Sequence, residues 1–160
     1  MTDFVALLRA LAQGEVEFIV VGGLAAVAHG SSRMTQDVDV VYARNRANLV
    51  RLSDSLEPYN PYLRGAPAGL PFQLDSPTLE RGLNFTLETS VGDIDLLGEI
   101  IGGGSYEHLL PHSTKLELFG CQILCLGLTK LIEVKKAAGR PKDLEAIAEL
   151  EALDEESQSS

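Results

Sequence analysis

Two Asp-x-Asp pairs, Asp37-Val38-Asp39 and Asp93-Ile94-Asp95, and one glycine pair, Gly22-Gly23, are the residues of this chain whose type and spacing could do chemistry. On an extended strand successive side chains alternate faces, so Asp37 and Asp39 share one face while Val38 and Val40 bury on the other. Two carboxylates about 7 Å apart along a strand repel unless a cation lies between them, and hard oxygen ligands suit Mg²⁺. Gly22-Gly23 follows the apolar run ending in Val20-Val21 and opens an Ala-rich stretch closed by Gly30, which reads as strand, turn, helix. Glycines there let a ligand approach the backbone, and the free N–H groups at a helix start point at it, with phosphate the usual occupant. A phosphate cradle beside a carboxylate pair makes a nucleotide site.

Gly-Gly, thirteen residues, then Asp-x-Asp resembles the signature of the nucleotidyltransferase superfamily, the fold of DNA polymerase β and the aminoglycoside nucleotidyltransferases. The form with Arg33, Thr35, Asp37 and Asp39 at alternate positions resembles the small bacterial AbiEii-like members, which relate to toxin and antitoxin systems. The resemblance implies that Gly22, Gly23, Arg33 and Thr35 bind nucleotide and that Asp37 and Asp39 hold two Mg²⁺, with Mn²⁺ as the substitute. It also implies a third carboxylate on a neighbouring strand, for which Asp93 and Asp95 are the candidates. Asp95 lies inside an apolar run, where an unpaired carboxylate is costly unless it serves a metal, whereas Asp93 beside Gly92 can be a turn acid, so Asp95 is favoured. Leu128-Thr129-Lys130 and Arg140-Pro141-Lys142-Asp143-Leu144 resemble that group's C-terminal motif. By that likeness Lys130 contacts nucleotide phosphates and Asp143 holds Lys130 or Arg140, while position alone does not separate Lys130 from Lys135. One departure stands out, since many superfamily members carry Gly-Ser where this chain has Gly22-Gly23.

The expected activity is transfer of a nucleoside monophosphate from an NTP such as ATP to an acceptor hydroxyl, with release of pyrophosphate. The acceptor is a protein, a tRNA end or a small molecule. The alternative is a catalytically silent NTP-binding regulatory or toxin–antitoxin module of the same fold, with a cognate antitoxin or other partner protein.

These groups need elements to position them. Phe4, Leu7, Leu8 and Leu11 make a helical stripe over 2–13, with Thr2 as N-cap and Gly14 as stop. Strands are expected over 16–21, 37–42, 83–89, 93–97, 113–119 and 121–126, with Leu83, Phe85 and Leu87 on one face. Helices are expected over 45–57, with Asn45 as cap, over 128–138, ended by Gly139, and from Pro141 to Leu153. Residues 58–77, with five prolines, read as a long loop, and Arg64 and Arg81 in or beside it are candidate phosphate contacts. The glycines of 98–104 lack the Lys-Ser/Thr of a P-loop and read as a flexible connector. Pro111 separates His108 from His112, and both read as surface residues. The fold class is α/β (α+β), a small mixed sheet flanked by helices, with one domain over 1–153 and a disordered acidic tail over 154–160.

A chain of 160 residues, 45% hydrophobic and 22% charged, can bury one ordinary core. Its net charge of −10 argues against broad binding to nucleic acid, which rests on neutralising phosphates. Five basic residues nevertheless cluster between Lys130 and Lys142. Cys121 and Cys125 share a strand face and read as buried free thiols in a reducing compartment. No signal segment or apolar run of membrane-spanning length is legible, so the expected location is cytoplasmic, away from membrane.

Overall fold

Helix α1, Phe4–Gln13, starts the chain because Asp3 accepts a hydrogen bond from the Ala6 N–H at 3.0 Å, satisfying one of the free donors of the first turn. The cap is therefore Asp3, and the expected cap, Thr2, instead accepts from the Asp93 N–H at 3.2 Å. Gly14 ends the helix, and a turn through Glu15 delays strand β1 to Phe18–Val21. The computed structural model describes residues 2–159.

Helix α2 is Gly22–Ala28, strand β2 is Asp37–Tyr42, and helix α3 is Arg46–Leu56, capped as expected by Asn45. The proline-rich segment is more ordered than a plain loop. It contains a 3-10 turn over Glu57–Tyr59 and a two-residue strand β3, Tyr62–Leu63, and from Ser76 it forms helix α4, Ser76–Arg81. The reason is local chemistry: Asp75 accepts from the Thr78 N–H, and Pro77 in the first turn needs no donor.

Strands β4, Asn84–Thr89, and β5, Gly92–Leu97, form the expected hairpin. Phe85 and Leu87 are buried, while Leu83 lies outside the strand and is exposed. The expected connector is a small hairpin of β6, Glu99–Ile100, and β7, Gly104–Ser105. A one-turn helix α5, Tyr106–Leu109, stops before Pro111, and strands β8, Ser113–Leu118, and β9, Cys121–Leu126, follow. Cys125 is buried, and burial pushes its thiol up to about 11, which fits an inert core cysteine. Helix α6 is Leu128–Ala138, and helix α7 runs from Pro141 to Ser159. The last helix thus continues past Leu153 into the segment expected to be disordered. Leu153 packs against the core, Thr129 donates to Asp154 at 3.2 Å, and the Glu-rich sequence favours helix without a further apolar stripe.

Seven strands make one mixed sheet in the order β3-β4-β5-β2-β1-β9-β8. The chain is a single mixed α/β domain with helices on both faces. Val38, Val40 and Tyr42 are fully buried on one face of β2. On that side the Tyr42 hydroxyl donates to the Leu83 carbonyl at 2.7 Å, Arg44 bridges Tyr42 to the Leu79 carbonyl of α4, and α4 packs on α3 and α3 on α1. The other face carries Asp37 and Asp39 and is covered over β1 and β2 by α2, which packs on α6, itself paired with α7. Among the described residues no helix is long and apolar enough to cross a membrane.

Candidate functional site

Strands β2 and β5 run parallel at the middle of the sheet, with Asp39 opposite Asp95 and Asp37 opposite Asp93. Paired positions share a face, so all four carboxylates point to the α2 side. Asp39 lies mostly out of solvent and hydrogen-bonds to Asp95. Its carboxyl is pushed up to about 7, first by burial, then by the charge and hydrogen bond of Asp95 and the charge of Asp37, with Lys142 opposing. The Asp39 carboxyl therefore keeps its proton into the neutral range, as a carboxyl buried beside other acids does.

Gly22 is where the chain makes room for this. Its φ of +68° is left-handed, and a Cβ placed there would lie 2.2 Å from Asp39 Oδ2. At Gly23 a Cβ would lie 2.7 Å from Thr35 Oγ1, and that hydroxyl donates to the Asp37 carbonyl at 3.3 Å. Gly22→Ala is expected to cost about 1–2 kcal/mol from φ alone and to push Asp39 aside. The readouts are a lower melting temperature and loss of the thermal shift given by Mg–NTP; an unchanged shift would separate Gly22 from the site.

A cavity of about 320 Å³ opens beside Gly22 and Gly23 between α2, the residues 31–35 loop and α7. Its lining combines the acids Asp37 and Asp39 with the cations Arg33, Lys135, Arg140 and Lys142. The cationic wall is braced. Asp143, 2% exposed, accepts from Arg140 Nε at 2.6 Å and from Nη2 at 3.2 Å, and lies 3.7 Å from Lys135 Nζ. Burial alone would raise the Asp143 carboxyl, but the hydrogen bonds and charge of Arg140 and the charge of Lys135 outweigh it and hold it below the usual carboxylate value. The same hydrogen bond raises the pKa of Arg140. The loop is tied to α7, since Ser31 donates to Glu149 at 2.6 Å, Ser32 at 2.9 Å, and Arg33 lies 3.5 Å from Glu145.

Of the residues singled out from sequence, Gly22, Gly23, Arg33, Thr35, Asp37, Asp39 and Asp143 meet around this cavity. Lys130 does not join them. It lines neither this cavity nor its neighbour and lies 3.3 Å from Glu133 of its own helix, whereas Lys135 lines both. The signal for Lys135 is its spacing, three and four residues after the buried Ile132 and Leu131, which carries it on the inward face of α6. Lys135→Ala is expected to weaken triphosphate binding about tenfold, the worth of a charged hydrogen bond, and nucleoside binding little; Lys130→Ala should leave both nearly unchanged. Calorimetric titration with ATP and adenosine checks this, and equal losses in the two variants would contradict it.

Arg64 and Arg81 were candidate phosphate contacts. Arg81 ends α4, on the opposite face of the sheet, and does not line the cavity. Arg64 follows β3, and its guanidinium donates to Asp95 Oδ1 at 2.8 Å and to the Leu87 carbonyl at 2.7 Å, with Nε 3.3 Å from Asp93 Oδ2. It therefore faces carboxylates, an arrangement hidden from sequence because it depends on β3 pairing with β4.

A divalent cation fits the donor set at Asp37 and Asp39: hard oxygens, one carboxyl raised by burial and then by its acidic neighbours, and room left by Gly22 beside Asp39. Arg64 takes only Oδ1 of Asp95, which leaves Oδ2 as the oxygen Asp95 could offer. Among the described residues no three His, Cys, Asp or Glu side chains form a ready-made metal cluster.

No known family profile matches the sequence, and neither does any curated protein. Solved structures do match. A protein of Thermotoga maritima assigned as a nucleotidyltransferase superposes over 100% of this chain and 97% of its own, with TM-score 0.54 and 12% identity. The lincosamide antibiotic adenylyltransferase LnuA, solved with lincomycin, matches over 95% of this chain and 98% of its own, with TM-score 0.62 and 14% identity. ANT(2'')-Ia, solved with adenylyl-2''-tobramycin, matches over 96% and 94%, with TM-score 0.53 and 15% identity. With carboxylates on adjacent strands of a mixed sheet and likeness along the full length of these neighbours, the chain has the nucleotidyltransferase fold.

Proposed function

We propose that this chain is a metal-dependent nucleotidyltransferase that moves a nucleoside monophosphate from an NTP to an acceptor hydroxyl. The observation that carries the reading is the placement of Asp39 between Asp95, Gly22 and the braced cations Lys135 and Arg140. ATP is the proposed donor, because two of the fold neighbours are named for adenylyl transfer or hold an adenylylated product.

In this reading Asp37 and Asp39 hold Mg²⁺, which when bound supplies Lewis-acid polarisation of the phosphate oxygens. Lys135, Arg140, Lys142 and Arg33 neutralise the β- and γ-phosphates. Asp95 accepts the acceptor's hydroxyl proton while that oxygen bonds to the α-phosphorus. The bond from the α-phosphorus to its bridging oxygen breaks, and pyrophosphate leaves with the electron pair into the cationic cavity. Incubation with each α-labelled NTP, Mg²⁺ and cell extract tests it: label on an acceptor with stoichiometric pyrophosphate is expected, and labelled monophosphate alone would instead indicate a hydrolase.

One observation favours a second reading, an NTP-binding regulatory or toxin–antitoxin module without turnover. Arg64 holds both Asp95 and Asp93, the carboxylates available as the third acid. Such a module would retain Mg–NTP and release no pyrophosphate.

A further inference from the structure

Beside the cationic cavity lies a second one of about 390 Å³. The two share a wall of Gly22, Asp39, Lys135, Arg140 and Asp143. Beyond that wall the character changes. Leu97 of β5 lines it from the sheet, Leu131 and Val134 from α6, and Ile100 and Ile101 from the small hairpin. Ile101 stands at the lip, 71% exposed, among the largest apolar exposures in the chain.

We infer that this second cavity is the acceptor site and that the acceptor is a small molecule with a neutral apolar body that presents a hydroxyl group. The inference rests on the nucleotidyltransferase reading above. In phosphoryl transfer the entering and leaving oxygens lie in line on opposite sides of phosphorus. With pyrophosphate leaving into the cationic cavity, the entering oxygen arrives from the other side of Asp39, where the apolar cavity opens. Its volume is in the range of small-molecule sites, and such sites combine apolar walls with a few polar groups that set orientation. Here those groups are Asn84, whose Oδ1 accepts from the Gly98 N–H at 2.8 Å, and Glu99. A polycationic acceptor would find one carboxylate, Glu99, on the far side of the shared wall. A polynucleotide would find Lys135 and Arg140 as the cations of this lining, and both belong to the wall shared with the triphosphate.

The test uses the full chain with ¹³C-labelled Ile, Leu and Val methyl groups, Mg²⁺ and the non-transferable donor analogue α,β-methylene-ATP. The probes are 4-cyclohexylphenol, spermine and adenosine. Saturable shifts of the Ile100, Ile101, Leu131 and Val134 methyls by 4-cyclohexylphenol are expected, and not by spermine, adenosine or the ATP analogue. Ile101→Glu, at an exposed position, should weaken the phenol about tenfold while leaving affinity for the ATP analogue unchanged. Val134→Gln serves as a second variant from the opposite wall. Phenol binding elsewhere, equal binding in both variants, or the same methyl shifts from adenosine or the ATP analogue would overturn the assignment. Failure of the wild-type chain to bind the ATP analogue while the phenol still shifts these methyls would overturn the transferase reading, and the acceptor role with it, and leave an apolar ligand site.

Discussion

Asp39→Asn is expected to melt at a higher temperature than the wild-type chain at pH 8 without metal, and to lose the stabilisation that Mg–NTP gives the wild type. Burial, then the neighbouring acids, push the folded-state Asp39 carboxyl up to about 7 from an ordinary aspartate value of 3.8. Between these the folded chain binds a proton that the unfolded chain has lost, so stability falls as pH rises through this window. Above pH 7 the whole penalty is in place; below 3.8 it is absent. At the cited conversion the full shift corresponds to roughly 4 kcal/mol, which the neutral amide does not incur. The difference in melting temperature between variant and wild type should therefore be largest at pH 8 and fade by pH 4. Added Mg–NTP should reverse the ranking, because only the wild type offers the anionic ligand. A variant less stable than wild type at pH 8, or one equally stabilised by Mg–NTP, would contradict this account of Asp39.

Asp95→Asn is expected to abolish transfer, by about 10²–10⁴-fold, the usual worth of a positioned proton acceptor, with NTP binding largely kept. The amide oxygen can still accept from Arg64, so the strand and its partner stay in place. Asp93→Asn should be mild, since the Asp93 carboxylate lies 3.3 Å from Arg64 Nε and opposite Asp37, one step further from Asp39. Single-turnover release of pyrophosphate, measured beside equilibrium binding of ATP, separates the two effects. The reverse ranking would make Asp93 the proton acceptor.

Elements bounded by their own punctuation were legible in the sequence. Gly120, Gly127 and Gly139 delimit β9 and α6, and both run over the expected 121–126 and 128–138. What was hidden depends on partners far along the chain. Strand β3 is two residues long and exists because Arg64 and Leu63 reach β4; no periodicity can announce so short a strand. At the site, Gly22, Gly23, Asp37 and Asp39 lie within one strand–helix–strand unit, and their proximity follows from local geometry. The partners of Asp143 and Asp95 are set by how α6, α7 and β3 dock, so the contact of Asp143 with Lys135, and Arg64 facing acids, needed the tertiary structure.

The facing of Asp39 and Asp95 is fixed by the buried side of the same two strands. Val38 pairs with Ile94 and Val40 with Leu96, all four at 0% exposure. A slip of β5 by one residue would turn Asp95 into the core and Ile94 toward solvent, a change no compensating contact could offset. The spacing of the acids is thus inherited from hydrophobic packing, not from a loop that thermal motion can redraw. Enlarging or trimming Val40 or Ile94 would change the distance between the two carboxyls, so variation in this protein's core should show itself first as altered chemistry at neutral pH and only later as loss of the fold.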